Sequence, residues 1–166
     1  MSPTTLRARP IAADAFAPYG WVVDPTAQAP GAPINAGTSE RLDGFGALAL
    51  TADGGAPCLA VFRARAQPAQ GPWQVLERHR LGTQTFVPLG GARCLVVVAL
   101  GADAPDPATL AAFVVGGRQA FKLHAGTWHH GLIALDDGDF VVVERRAATE
   151  DCEVVHLPAP VRVQWP

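Results

Sequence analysis

Charge is scarce in this chain, and the two signs are nearly balanced. Of the 166 residues, 17% are charged, with 13 lysines and arginines against 15 aspartates and glutamates, so the formal net charge is -2. No basic stripe is visible along the sequence. We therefore expect no nucleic-acid partner, because binding to a phosphate backbone requires clustered positive charge.

Long apolar runs are also missing. The longest spans residues 94–100, which is the length of a strand and far below the ~20 residues of a membrane helix. The N-terminal residues 1–7 include no apolar stretch of the kind that a secretion signal needs. These observations predict a protein without membrane association or signal peptide, located in the cytoplasm.

Cysteine is rare: Cys58, Cys94 and Cys152 are the three in the chain. Their number is odd, they are widely spaced, and no Cys-x-x-Cys pair exists, which argues against a disulfide framework. Cys58 and Cys94 lie inside apolar runs, where cysteine acts as a small hydrophobic side chain. We interpret the cysteines as reduced structural thiols, typical of a cytoplasmic protein.

Glycine and proline, by contrast, are plentiful, with 17 and 15 copies that separate short valine-rich segments. This pattern is typical of an all-β sandwich or barrel. A short helix is predicted near residues 14–17, ended by Pro18 and Gly20, and residues 107–112 can form one helical turn. A loop is predicted over 24–40. The predicted strands are 21–23, 47–50, 59–65, 73–79, 83–87, 94–100, 110–115, 119–123, 132–135, 140–144 and 154–157.

The first segment with chemical potential ends the strand predicted at 73–79. Alternate residues of a strand share a face, so Glu77 and His79 continue the apolar face of Trp73 and Val75, while Arg78 and Arg80 take the polar face. An inward glutamate costs free energy unless it is paired or bound. The alternative is an exposed strand end with solvated charges, and this segment alone does not decide between the two.

The second segment is 124–131, where three of the five histidines fall within seven residues. His129 and His130 are adjacent and face opposite ways in a strand, so at most one of them enters a barrel interior. We predict that it is His129, on the same face as Gly131 and Ile133. His130 is then expected behind it or against the outer layer.

The spacing of both segments resembles the two motifs of the cupin superfamily. The first motif is similar to Glu77-x-His79, followed by Gln84 after four residues and by Gly91 after six more. Glu77 stands in place of a histidine and Gln84 in place of a glutamate. His124-x-Gly126-x-x-His129 is similar to the second, with His124 in place of a proline. The resemblance implies a cupin-like double-stranded β-helix, or jelly-roll, barrel. The corresponding metal set is Glu77, His79, Gln84 and His129, and the same four groups are equally able to bind an organic acid directly.

Residues 76–88, which include Glu-Arg-His and Leu-Gly-Thr-Gln, resemble the signature of the ureidoglycolate lyase family, and Trp128-His129-His130 resembles its Trp-His-His. The similarity extends over residues 16–20, 65–68 and 96–101, and over the region of Asn35 and Arg41, and it covers residues 10–160. Gly131 stands where the family usually has proline. Lys122 is unusual for its position.

The resemblance implies one cupin-like domain over residues 1–166, a homodimer, and a carbon–nitrogen lyase of the amidine-lyase type. It would cleave (S)-ureidoglycolate to glyoxylate and urea in allantoin and purine degradation. The resemblance leaves open whether one divalent ion, nickel, manganese or zinc, is bound, and no organic cofactor is expected.

The candidate roles follow from the substrate, a hemiaminal whose cleavage needs a base and an acid. Imidazole exchanges protons near neutral pH, so His129 or His79 is the candidate base. Glu77 is either its partner or the proton donor, and the latter requires a raised pKa. The substrate-binding candidates are Gln84, Arg41, Arg65, Asn35, Lys122, His124 and Trp128, with Arg41 or Arg65 holding the substrate carboxylate.

Two other functions fit the same residues. One is another cupin enzyme acting on a small organic or sugar acid, which would hold its metal tightly. The other is a non-catalytic cupin that binds a small acid without converting it. The sequence leaves open which enantiomer is preferred and whether the products are those of a lyase or of a hydrolase. It also leaves open which residue is the base and which is the acid.

Overall fold

The computed structural model describes residues 3–27 and 30–165. One short helix, α1 (Ala13–Phe16), lies near the N-terminus, and 3-10 turns form at Asn35–Gly37, Ala52–Gly54 and Pro107–Thr109. The strands are β1 (Thr4–Arg7), β2 (Arg9–Pro10), β3 (Gly20–Val23), β4 (Ala32–Ile34), β5 (Ser39–Arg41), β6 (Ala56–Ala64), β7 (Trp73–Arg78), β8 (Gln84–Leu89), β9 (Cys94–Ala99), β10 (Ala111–Val115), β11 (Ala120–Leu123), β12 (Trp128–His129), β13 (Ile133–Ala134), β14 (Gly138–Arg146) and β15 (Glu153–Gln164).

The strands form two main sheets. The large sheet has the order β1-β15-β7-β12-β9-β10-β2, with β13 also paired to β9, and the small sheet has the order β3-β11-β8-β14-β6. β4 and β5 pair with each other as a separate hairpin. Because β1 runs parallel to β15 while β2, only two residues later, runs parallel to β10, residues 4–10 bring the two edges of the large sheet together. The large sheet is therefore a nearly closed barrel.

β9 is the wall between two apolar cores. Cys94, Val96 and Val98 point into a core shared with the small sheet and α1, whereas Leu95 and Val97 point into the interior of the large sheet. All six residues of β9 are buried. This explains why residues 94–100 are continuously apolar instead of alternating, since a strand covered on both faces has no polar side. Since the chain itself covers both of its faces, β9 is a wall of the barrel.

The all-β prediction, the cupin-like barrel and the short N-terminal helix are confirmed. Four details differ. Residues 47–50 form no strand. The backbone N–H of Ala49 donates to Oγ1 of Thr83, and the carbonyl of Ala49 accepts from the Thr83 N–H, so neither group is free to join a sheet. The predicted loop 24–40 includes β4 and most of β5, and β1 and β2 were not predicted. β15 continues to Gln164, because the two prolines at 158 and 160 fall within an irregular step between His156 and Val161.

Two side chains of β7 that point away from Glu77, on the face that was expected to be polar, are buried. Leu76 and Arg78 are 1% and 2% exposed, and they point into the interior of the large sheet. The Arg78 guanidinium lies 4.1 Å from the ring centroid of Trp128, donates to the carbonyls of Gly101 and Ala102, and pairs with Glu153. Arg78 is thus a buried structural cation, and its expected place on a polar face was wrong.

Among the described residues, no helix is long and apolar enough to cross a membrane.

Candidate active site

Glu77, His79 and His129 converge between the two sheets. β7 and β12 are antiparallel neighbours in which Glu77 is the register partner of His129. The Nε2 atom of His129 lies 3.6 Å from Oε1 of Glu77, and the rings of His79 and His129 are 5.7 Å apart. One nitrogen from each histidine and one carboxylate oxygen all lie within 4.8 Å of one another. The prediction that these three side chains share one interior face agrees with this placement.

Backbone carbonyls set the orientation of both imidazoles. Nδ1 of His79 lies 3.0 Å from the carbonyl oxygen of Asp151, and Nδ1 of His129 lies 2.9 Å from that of Thr127. A carbonyl only accepts, so each Nδ1 carries the hydrogen and each Nε2 keeps its lone pair. Both Nε2 atoms are buried, and neither has a hydrogen-bond partner within the described part of the chain. The pair therefore presents two free basic nitrogens.

Two imidazole nitrogens and a carboxylate oxygen form a donor set that suits a divalent transition metal. The carbonyls behind each Nδ1 supply the outer hydrogen bonds that orient histidine ligands in metal proteins. The residues present thus fit a metal ion, with Glu77, His79 and His129 as the group able to hold it.

Glu77 is held in its ionised form. Its pKa is lowered, mainly by the contact with the His129 ring, which favours the carboxylate when that imidazole is protonated, with a smaller electrostatic contribution from His79, while partial burial acts in the opposite direction. The Cys152 thiol, 3.8 Å away, donates toward Oε2. The role of proton donor requires a raised pKa, so the lowered pKa favours the other alternative, in which Glu77 is a negatively charged partner of the two imidazoles.

A cleft of about 330 Å³ opens beside His79. Its lining includes Cys58, His79, Gln84, Glu144, Arg146 and Asp151. Gln84 begins β8 of the small sheet and is 5% exposed. Its Nε2 donates to Oε2 of Glu144 on the neighbouring strand β14 over 2.9 Å. The cleft thus lies between the acid–imidazole group of the large sheet and an amide–acid pair of the small sheet.

The turn after His79 is fixed from two directions. The Asp151 carboxylate accepts from the backbone N–H groups of Arg80 and Leu81 at 3.1 and 2.6 Å. The N–H of Gly126 donates to the His79 carbonyl at 2.7 Å, with Gly126 in a left-handed conformation at φ 86°. A side chain would strain that conformation, which gives the glycine of the second cupin-like motif a physical reason.

His130 and Ile133 do not share the His129 face. The His130 ring packs 4.8 Å from that of Trp73, behind the strand, as expected for the residue that turns away from the site. Ile133 belongs to the core inside the large sheet. Its expected place beside His129 was wrong, because residues 130–132 interrupt the strand and reset the alternation.

Three predicted substrate-binding residues lie outside the cleft on exposed backbone. Asn35 follows β4 and Arg41 ends β5, in a hairpin whose strand residues are all exposed, and Arg41 pairs with Asp43. Arg65 follows β6, whose other end carries Cys58 in the cleft wall. Seven residues of extended chain span roughly 20 Å, so Arg65 lies at the far end of the small sheet. The structure does not bring these three residues to the cleft within this chain.

Lys122, His124 and Trp128 are engaged elsewhere. Lys122 is 3% exposed on the outer side of the small sheet, where its ammonium donates to the carbonyls of Phe45 and Ala47, and burial lowers its pKa. His124 lies 3.1 Å from the Ala17 carbonyl. Trp128 points into the core inside the large sheet and donates to Gly101. All three stabilise the scaffold around the site.

Three residues at the site were not predicted from the sequence: Glu144, Arg146 and Cys152. A signal existed for the first two: Phe140 and Val142 are buried inward residues of β14, and the same alternation leads to 144 and 146. Polar residues that continue an apolar face were recognised in β7 and were overlooked in β14. Cys152 had no comparable signal, since a loop brings it to Glu77.

Comparisons with known proteins show which sequences this chain resembles. A family model described as "Ureidoglycolate lyase" matches residues 3–164. The chain is 38% identical over 149 residues to a ureidoglycolate lyase of Azotobacter vinelandii, with 89% of each chain covered. It is 40% identical over 156 residues to one of Escherichia coli K12, covering 92% of this chain and 94% of that one. The chain is also 40% identical over 157 residues to a ureidoglycolate lyase of Burkholderia mallei, covering 93% of this chain and 90% of that one.

Proposed function

Because the chain belongs to the ureidoglycolate lyase family, we propose that it cleaves (S)-ureidoglycolate to glyoxylate and urea, as a carbon–nitrogen lyase of the amidine-lyase type in allantoin and purine degradation. One observation carries the proposal. Two imidazole Nε2 lone pairs and an ionised glutamate meet beside a cleft large enough for a small organic acid.

The reaction needs a proton to move from oxygen to nitrogen. The central carbon of the substrate bears a hydroxyl, a carboxylate and a urea nitrogen. A base removes the hydroxyl proton, the electron pair left on oxygen forms the C=O bond of glyoxylate, and the C–N bond breaks with its electron pair going to nitrogen. The leaving nitrogen then takes up a proton and departs as urea. The same proton, carried by an imidazole, balances the step.

His79 and His129 are suited to this transfer. Each has its Nδ1 hydrogen committed to a carbonyl, so Nε2 is the atom that accepts the hydroxyl proton. Glu77 lies within 4.8 Å of a ring nitrogen of His79 and stabilises the imidazolium that forms there. His79 lines the cleft directly and is the base in our account, while Glu77 and His129 stabilise the charge behind it.

Glu77, His79 and His129 would also hold a divalent ion of nickel, manganese or zinc, and Gln84 is the fourth candidate ligand. When bound there, such an ion would polarise the substrate hydroxyl and lower its pKa. We propose no organic cofactor.

The substrate carboxylate needs a cation to bind it, and Arg146 is better placed for this than Arg41 or Arg65. Arg146 lies in the cleft wall, two residues beyond the inward Glu144 on the same strand. The neighbouring Arg145 is less suitable, because its guanidinium already donates to the carbonyls of Ala52 and Asp53. A guanidinium binds a carboxylate through two parallel hydrogen bonds.

We further propose that residues 1–166 form a single domain that assembles as a homodimer in the cytoplasm. The outer face of the small sheet supports the dimer. Leu59, Val61, Val87 and Leu89 are 74%, 57%, 37% and 48% exposed there, and Val141 connects the two pairs in the strand register. Such an apolar patch is unusual on a monomer, and a two-fold axis lets the same patch cover itself.

The product assay tests the proposed reaction. The purified protein is incubated with (S)-ureidoglycolate and, separately, with the (R) enantiomer, and glyoxylate, urea and ammonia are quantified after subtraction of spontaneous decay. We expect glyoxylate and urea in equal amounts from the (S) form. Ammonia in place of urea would identify a hydrolase, and the absence of enzyme-dependent product would contradict the proposal.

A further inference from the structure

The Gln84 side chain has one polar atom engaged and one free. Nε2 donates to Oε2 of Glu144 over 2.9 Å. Oε1 is buried and has no hydrogen-bond partner within the described part of the chain. A buried acceptor without a donor is costly, so its presence in the wall of a cleft points to a donor supplied by the ligand.

Glu144 decides which way the amide faces. The oxygen and nitrogen of a glutamine amide have nearly the same shape, and only their partners distinguish the two orientations. An ionised carboxylate has acceptors and no donor. With Glu144 beside it, the amide must turn Nε2 toward the acid, and Oε1 is the atom that remains for the cleft.

The pair is held by the sheet itself. Thr85 on β8 is the register partner of Val143 on β14, which sets Gln84 and Glu144 side by side on the inner face. β14 also pairs with β6 on its other side, where Glu144 is the register partner of Cys58. Because β14 is anchored on both sides, the position of the acid does not depend on its side chain alone.

We propose that Glu144 is a positioning residue that orients Gln84 so that Oε1 accepts a hydrogen bond from an N–H of the ureido group of the substrate. This inference rests on the proposed function. The ureido group has three N–H hydrogens, whereas the carboxylate end of the substrate has acceptors only. The negative charge of Glu144 also disfavours the substrate carboxylate at this wall. The Gln84–Glu144 pair therefore selects the ureido end and leaves the carboxylate to the cationic part of the cleft.

The first experiment measures the orientation without any turnover. In protein labelled with 15N in its glutamine side chains, Gln84 is assigned by its absence from the Gln84→Ala variant. We expect one of its two amide protons to be shifted far downfield and protected from solvent exchange, and Glu144→Ala to abolish both features. Unchanged Gln84 signals in Glu144→Ala would overturn the positioning role.

The second experiment measures the consequence for the substrate. Glu144→Ala is expected to raise KM for ureidoglycolate about tenfold with kcat changed by less than about threefold, because a hydrogen bond made equally in the ground and transition states affects binding alone. The double variant Gln84→Ala/Glu144→Ala should be no worse than Gln84→Ala, since one residue acts through the other. Glu144→Gln keeps an acceptor within reach of Nε2 and should recover most of the affinity.

Asp14→Asn is the control for the loss of an acid, because Asp14 is exposed on α1 and does not line the cleft. Additive effects in the double variant, or a loss confined to kcat, would overturn the proposal. So would a fall in Ni²⁺ affinity in Gln84→Ala and Glu144→Ala, which would assign Oε1 to a metal. If the wild-type protein forms no urea, the proposed function fails, and the NMR result still decides the orientation of Gln84.

Discussion

Glu77 and His129 are register partners on neighbouring antiparallel strands, and their side chains meet with 3.6 Å between Oε1 and Nε2. The contact therefore depends on the pairing of β7 with β12 rather than on a flexible loop. Sites built on sheet strands hold their side chains with less freedom than sites built on loops. Glu77 and His79, two residues apart, then place the second imidazole on the same side.

The arginine of the cleft gives a prediction about the substrate carboxylate. Arg146→Ala should raise KM for ureidoglycolate about tenfold or more, because a charge-assisted hydrogen bond contributes ~1.5–3 kcal/mol. Steady-state kinetics measure the effect. Arg63→Ala is the control, since Arg63 lies near the far end of β6 and pairs with Asp139 on the exposed surface. An unchanged KM in Arg146→Ala would show that another cation holds the carboxylate.

The apolar outer face of the small sheet predicts how the dimer forms. Val61→Lys places a charge at the centre of that face and should convert the dimer to a monomer, because a stable interface buries roughly 800 Å² on each partner and tolerates no unpaired central charge. Size-exclusion chromatography with light scattering measures the mass. Asp14→Lys, on the exposed side of α1, is the control. A dimer that persists in Val61→Lys would place the interface elsewhere.

The cysteines predict a pattern of thiol reactivity. Burial raises the pKa of Cys94 to about 12, and burial together with Glu77 raises that of Cys152 to about 11. At pH 8 both remain thiols, which react far more slowly than thiolates. Iodoacetamide labelling followed by mass spectrometry should therefore modify these two only after unfolding, when all three cysteines react. Rapid native labelling of Cys94 would contradict the buried wall formed by β9.

Acid should weaken one ion pair at a defined pH. Arg93 donates to the Asp136 carboxylate through its side chain and its backbone N–H, and these bonds lower the pKa of Asp136 to about 2 from 3.8. A lowered folded-state pKa gives stability that is present above about pH 4 and is lost as the pH falls toward 2.

Asp136→Asn should accordingly lower the midpoint of guanidinium denaturation at pH 7, and the difference from wild type should shrink below pH 4. The change at pH 7 is expected to be small, because the pair is partly exposed and solvent screens it. A difference that grows toward low pH would have the wrong sign for this account.

Much of the fold was predictable, since most inner strands combine valine-rich interiors with clear turn signals. The errors have identifiable causes. A short apolar run such as 47–50 becomes a strand only when a neighbour is free to pair, and Ala49 is occupied by Thr83. The predicted strand 154–157 stopped before Pro158 and Pro160, whereas an irregular step in the pairing of β15 accommodates both prolines. The face of β7 that carries Arg78 lies inside the nearly closed large sheet, so a charged side chain there does not mark an exposed face.

The site was predictable where residues share one strand. Glu77 and His79 could be placed by alternation, and the spacing of the second motif identified His129. Arg41 and Arg65 were chosen for their chemistry, without any constraint on distance, and neither lines the cleft in this chain. Glu144 and Cys152 reach the site through strand pairing and loop closure over 60 and 75 residues of sequence, which local patterns do not reveal.

The most direct test of the account compares urea formation by the wild-type protein, His79→Ala, His129→Ala and the control His156→Ala, whose histidine is exposed on β15. Removal of a general base typically lowers the rate by about 10²–10⁴-fold. We expect a loss of at least about 100-fold in the first two variants, with folded barrels by circular dichroism, and wild-type rates in His156→Ala. Wild-type urea formation in both His79→Ala and His129→Ala would contradict the central claim.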